Sequence, residues 1–290
     1  MLTNQQLNDW LERANERYRQ RDLPPRQRPF RAISDLSKEF KISIDFGSDV
    51  AGKIFDWFTN HTQAGSHAIG SLFTGAYYFD ACFWPVSIQV GFGTFVPKAL
   101  DALETMPKML KNQLCADRSE VRNYTSYWAD CVDYAYGSDA LQTRRSLSSY
   151  AAGLLQGGQG EIEGTVAQLC SARPNPKAIM SARMAAEIHL KLLLVAKGGK
   201  DAAFLRSIGH DLQKTIDACL SVAAVKEFAI IRPMLAIFPD VSARYVGTEK
   251  PMREIWEAYC IAQATAATVM RVLSGDDRRL QIIQADQRGG

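Results

Sequence analysis

A chain of 290 residues, 47% hydrophobic and 22% charged, has the balance of a globular protein and is long enough to bury a core without disulfide or metal staples. Its net charge of +3 is too small to imply a nucleic-acid partner from charge alone. The six cysteines, at 82, 115, 131, 170, 219 and 260, stand singly with no CxxC pair, which argues against a zinc knuckle and for reduced, mostly buried thiols of a cytoplasmic protein.

The N-terminus is polar and carries no apolar core of the signal-peptide kind. Residues 3–20 place Leu7, Trp10, Leu11 and Ala14 at i, i+3, i+4 and i+7, the spacing of an amphipathic helix. Pro24, Pro25 and Pro29 break it, so residues 19–31 (RQRDLPPRQRPFR) read as a basic, extended connector. Arg13, Arg17, Arg19, Arg21, Arg26, Arg28 and Arg31 crowd into nineteen residues. Arg17, Arg21, Arg26, Arg28 and Arg31 are the candidate nucleic-acid contacts, and a solvated linker is the plainer reading. No aromatic ladder accompanies them, so a single-strand stacking platform is not indicated.

Residues 30–60 read as two short helical or mixed pieces anchored by Ile54, Phe55, Trp57 and Phe58. Between His67 and Lys98 the sole formal charge is Asp80, but glycines and prolines keep every apolar stretch too short to span a membrane. The expectation is a buried helix followed by an extended segment, in which Val86, Ile88, Val90 and Phe92 alternate. A helix resumes at Pro97 and bends or ends at Pro107. Residues 118–137 form a helix stopped by Gly137, and 139–153 form another. LLQGGQGEIEG (154–164) reads as a flexible turn, 161–172 as a short helix, and Arg173 to Pro176 as a break.

The strongest helical block follows Pro176. Arg183, Glu187 and Lys191 lie at about 0°, 40° and 80° on the wheel, one polar stripe on an otherwise apolar cylinder. Glu187 precedes Lys191 in the favourable order, a pair worth about 0.2–0.5 kcal/mol when exposed. Gly198-Gly199 ends this helix. His210 and the N-cap Asp211 open the next, over about 211–228. Phe228–Phe238 is interrupted by Pro233, and a loop follows over 239–245. In the last helix, about 251–273, Ile255, Tyr259, Ala262, Ala266, Val269 and Leu273 form a regular core stripe.

EIHLKLLL at Glu187–Leu194, GHDL at Gly209–Leu212, ARY at Ala243–Tyr245 and the long final helix together resemble the HEPN superfamily, small helical bundles of bacteria and archaea, over about residues 140–275. The resemblance implies a homodimer. It also raises metal-independent ribonuclease or toxin activity, whose signature is an Arg followed four to six residues later by a His near the last helices. Arg183 and His189 meet that spacing, yet lie about 120° apart on a continuous helix and belong to the second bundle helix. The final helix carries Arg253 and Arg271 but no His.

The fold expected is therefore all-α: a helical bundle, HEPN-like in its C-terminal half, packed on a mostly helical N-terminal region with at most a short extended segment. The organisation is 1–117, an N-terminal helical region; 118–275, the HEPN-like bundle; and 276–290, a polar tail. The function expected is that of a non-catalytic HEPN-like protein acting through protein or nucleotide/RNA binding, in a bacterial toxin or defence setting. The alternative is a ribonuclease toxin using His210 with Arg244, or else Arg183 with His189. A helix N-terminus disfavours imidazolium, so His210 is expected to be neutral. Ligand-binding candidates are Glu187, Lys191, His210, Asp211, Arg244 and Tyr245.

No cofactor is expected, since no Walker or Rossmann glycine pattern is present. No metal is expected either: His61 and His67 straddle TQAGS without a third ligand. Acids flank Cys131, which argues against a nucleophile. Asp130, Asp133, Glu161 and Glu163 read as solvated faces.

Overall fold

A computed structural model describes residues 3–62, 71–90, 98–245 and 250–281, apart from the side chains of Arg26, Arg244 and Tyr245. The chain divides into two compact units, 1–70 and 71–290. Residues 71–117, grouped above with the N-terminal region, thus belong to the larger unit.

In the smaller unit, α1 (Asn4–Gln20) starts on a reciprocal cap: the Thr3 hydroxyl accepts from the Gln6 backbone, and the Gln6 side chain accepts from that of Thr3. Its buried face is Leu7, Trp10, Leu11, Ala14 and Tyr18, one turn longer than the spacing indicates. The basic stretch is not extended. A single 3-10 turn (Pro25–Gln27) leads directly into α2 (Arg28–Phe40). Pro29 sits in the first turn of α2, where a missing N–H costs nothing, so it begins a helix rather than breaking one. Arg28 is drawn inward, donating to the Leu23 carbonyl and to Asn15 Oδ1, each at 2.9 Å. Arg17, Arg21 and Arg31 remain exposed, Arg31 pairing with Asp35 at 3.0 Å. α3 (Asp49–His61), capped by Ser48, buries Ile54, Trp57 and Phe58 against α1 and α2.

The larger unit opens with an antiparallel hairpin, β1 (Phe73–Phe79) and β2 (Cys82–Ile88), Phe73 facing Ile88 across the ladder. This corrects the expected buried helix. Asp80 and Ala81 both take left-handed φ values, 53° and 56°, as a two-residue hairpin turn requires. Phe, Tyr and Trp favour the pleated surface, and Gly75 admits the Tyr127 hydroxyl where a Cβ would lie 2.5 Å from it. Val86 and Ile88 fall in β2 as expected; Phe92 lies outside the described residues.

After a 3-10 turn (Ala99–Ala102), α4 (Lys108–Ala116) starts at Pro107, which caps it rather than bending it. α5 (Arg118–Arg144) runs straight through Gly137 for 27 residues. That glycine lets α5 approach the last helix, since a Cβ there would meet Met270 Cβ at 2.8 Å. α6 (Ser149–Leu169) absorbs the whole glycine-rich stretch that reads as a turn, together with the expected short helix after it.

α7 (Ala178–Ala196) ends before Gly199, whose φ is +61°. α8 (Ala202–Ile208) occupies the connector, and α9 (Leu212–Val222) begins on Asp211 as expected but stops short of 228. α10 (Lys226–Met234) contains Pro233, and α11 (Met252–Ser274) closes the bundle. α7 packs between α6 and α11, α11 packs between α7 and α5, and β1 rests on α5, α6 and α11. Ile255, Tyr259, Ala262, Ala266 and Val269 are fully buried, as their stripe demands. Among the described residues the chain is all-α apart from the hairpin, and no described helix is long and apolar enough to cross a membrane.

Candidate functional site

The polar stripe of α7 is the densest group of candidate residues, and it is buried. Glu187 is 2% exposed. Its Oε2 accepts from Arg183 Nη1 at 3.0 Å; its Oε1 accepts from Lys191 Nζ at 2.7 Å and from His210 Nδ1 at 2.8 Å. The two cations also reach across to the turn before α9. Arg183 Nη2 donates to the His210 carbonyl at 2.6 Å, and Lys191 Nζ to the Gly209 carbonyl at 2.7 Å. Gly209 holds this turn at φ +65°, a conformation that L side chains rarely adopt. The stripe is therefore a clasp between α7 and the α8–α9 turn rather than an exposed helix pair. Burial works to raise the Glu187 carboxyl, but the bonds and charges of Lys191 and His210 outweigh it and hold the group below its ordinary range.

His210 differs from the other three in being 59% exposed at its side chain. The sequence sets it beside a helix N-terminus. The fold adds a carboxylate at Nδ1, which fixes the proton on that nitrogen and leaves Nε2 free. Asp211 is spent on capping, accepting from Lys214 N at 3.0 Å. The backbone of 241–245 forms a 3-10 turn, but the Arg244 and Tyr245 side chains lie outside the described residues. Hydrogen bonds from Ser242 hold the Asp240 carboxyl below its usual range, and the Arg183 charge adds to this.

Arg183 and His189 do not converge, as the wheel requires. His189 is fully buried, donates from Nδ1 to the Ala185 carbonyl at 2.7 Å, and meets the Tyr134 ring edge-on at 5.5 Å. Gly158 of α6 makes room for it: a Cβ there would lie 2.6 Å from the imidazole Cε1. Burial pulls His189 down to about 4, so it is neutral and structural.

The remaining candidates are dispersed. His61 stacks on Trp57 at 4.2 Å and bonds its carbonyl, and His67 lies outside the described residues. Among the described residues no three His, Cys, Asp or Glu side chains gather as metal ligands. Cys131 and Cys219 are buried, while Cys82 and Cys115 are exposed, so the thiols are less uniformly buried than expected. Burial pushes the Cys131 thiol well up, leaving it inert.

A second ionic cluster escaped the sequence reading. Asp130 and Asp133 are not solvated: they are 7% and 3% exposed. Arg271 Nη1 donates to Asp130 Oδ1 and to Asp133 Oδ2, each at 2.9 Å, and its Nη2 donates to Thr268 at 2.9 Å. Arg279 Nη1 adds a bond to Asp130 at 3.1 Å, and the Arg278 backbone N–H one to Asp133 at 2.8 Å. Residues assigned to a polar tail thus fold back onto α5. Burial raises the Asp133 carboxyl, with Arg271 opposing it. The available signal was two acids and one arginine set inside apolar helices, since a buried charge calls for a partner. Beside Arg271 lies an open groove of about 520 Å³, lined in part by Lys197, Val225, Glu227, Thr268 and Asp277.

Compared with protein-family models, with curated proteins and with solved structures, the chain matches none.

Proposed function

We propose that this chain is a non-catalytic, HEPN-like helical protein that acts by binding, through a protein partner or through nucleotide or RNA. The observation carrying this reading is the saturation of Glu187. All three polar partners of its carboxylate are protein groups, and two of them are also anchored to backbone carbonyls. A group so engaged is unsuited to proton transfer with a substrate, which needs an acid or base within reach and free to exchange. The groove beside Arg271 is within the size range of small-ligand sites and carries both signs of charge, Lys197 and Arg271 with Glu227 and Asp277. The exposed arginines Arg17, Arg21 and Arg31 offer phosphate contacts in the smaller unit. Homodimerisation and a defence role belong to this proposal through the HEPN resemblance, and a cytoplasmic setting through the scattered, unpaired cysteines.

The ribonuclease alternative keeps one specific observation in its favour. A carboxylate holding Nδ1 of an exposed imidazole leaves Nε2 available as a base, here His210 with Glu187 behind it. A fluorogenic RNA cleavage assay on wild type, His210→Ala and His189→Ala separates the two readings. The binding reading expects no cleavage by the wild type. Cleavage abolished by His210→Ala establishes the alternative.

A further inference from the structure

Among the described residues of the larger unit, two hydroxyls are buried without a hydrogen-bond partner: Tyr134 Oη and Ser138 Oγ. They stand one turn apart on α5, on residues 2% and 3% exposed. Buried polar atoms are nearly always satisfied, and two adjacent orphans mark a place for a water or an ion.

Both residues line a small cleft of about 70 Å³ between α5, α6 and the start of β1. Asp139 of α5 and Glu163 of α6 also line it, and both are exposed. Gln142 donates to Gln159 Oε1 at 2.9 Å and bridges the two helices beside the cleft. No lysine, arginine or histidine lines it, so the two carboxylates there have no cationic counterpart. Burial keeps the Tyr134 phenol neutral, the Glu163 charge acts in the same direction, and the neighbouring Ser138 hydroxyl opposes them, so the two hydroxyls lie close together on the cleft wall. Aside from the amide nitrogens of the two glutamines, every polar side-chain atom of the lining is an oxygen.

We propose that this cleft binds a hard divalent cation of the Mg²⁺ or Ca²⁺ class. Asp139 and Glu163 supply the charge. Tyr134 and Ser138 supply neutral oxygens, directly or through a retained water, and turn their O–H groups to the carboxylates. The oxygen-only donor set selects hard cations over thiophilic or imidazole-seeking metals. The cleft has room for an ion and one retained water at about 30 Å³ each. With only two carboxylates, both open to solvent, the affinity belongs at the weak end of oxygen sites, about 10⁻⁴–10⁻³ M.

Isothermal titration of the full chain with CaCl₂ and, separately, MgCl₂ after chelator dialysis tests this. The expected result is one site for at least one of the ions. Glu163→Gln weakens it at least about tenfold, Ser138→Ala weakens it severalfold, and Glu161→Gln on the same helix leaves it unchanged. Because Glu163 is exposed, its substitution leaves the fold intact, as matching thermal melts in chelator confirm. Absence of binding by either ion up to about 10 mM, or binding that survives Glu163→Gln unchanged, overturns the proposal.

Discussion

The bundle buries two ionic networks, and they are built in opposite ways. Around Glu187 one carboxylate serves three nitrogen partners, all from α7 and the turn before α9. Around Arg271 one guanidinium bridges two carboxylates on α5, helped by Arg279 beyond α11. The first network ties a helix to the turn that follows it. The second ties helices whose residues lie about 140 positions apart. Their carboxyls respond in opposite directions as well. Glu187, outnumbered by cations, is held ionised despite its burial, whereas the Asp133 carboxyl is raised by burial that its partners do not fully offset. Burial alone does not set the state of a carboxyl; the ratio of opposing charges within reach does.

The sharpest way to break the comparison is to remove the central charge of the second network. Arg271→Leu leaves Asp130 and Asp133 with Arg279 and backbone N–H groups only. Breaking a buried pair on one side costs about 3–5 kcal/mol, so thermal melts are expected to fall by about 10 °C or more. A change of under a few degrees means the network contributes little.

His189 extends the comparison to a buried group with no counter-charge. Its folded pKa, about 4, lies below the ordinary 6.5. The unfolded chain therefore takes up the proton first. The stability tied to neutral His189 is complete above pH 6.5 and is lost as pH falls toward 4. Its size is on the order of 2–4 kcal/mol. His189→Gln is expected to lie below the wild type at pH 7.5 and to close the gap by pH 4, followed by urea melts across the range. A gap independent of pH contradicts this assignment.

Smaller effects come from the glycines of α6. Gly158→Ala forces a methyl into the His189 ring and is expected to cost about 1–3 kcal/mol. Gly157→Ala meets nothing within 4 Å and is expected to gain about 1 kcal/mol from helix propensity. Equal signs for the two substitutions in denaturant melts undercut the packing of α6 on α7. The smallest effect belongs to His210→Ala. Its half-exposed contact with Glu187 is expected to contribute at most about 1 kcal/mol, because solvent screens it.

Features with local causes were the legible ones. α1, α7 and α11 follow from apolar spacing, and the Asp211 cap and the Gly199 stop follow from single residues acting on their own neighbours. The Arg183–Glu187–Lys191 row was legible as a stripe, and its failure to pair Arg183 with His189 follows from the helix turn alone. Its burial was not legible, because the carbonyls of Gly209 and His210 arrive from another element. The hairpin was missed because a run of aromatics and glycines has no decisive period. α6 was missed because its glycines read as a turn. Gly158 instead serves a close approach to His189, which outweighs its poor helix propensity. Asp130 and Asp133 read as solvated because the arginine that buries them lies near the far end of the chain.

The central claim is that the Glu187 cluster is a structural clasp that ties α7 to the turn before α9. The stability of Glu187→Gln against wild type, measured by urea unfolding across pH, tests it most directly. Its carboxyl is held below the ordinary 4.5, so the stability it contributes is complete above that pH and is lost as pH falls through the folded value. The account predicts a deficit of about 3–5 kcal/mol for the variant at pH 7, where Arg183 and Lys191 are left buried without an anion, shrinking as pH falls below 4.5. Equal stability of variant and wild type at pH 7 contradicts it.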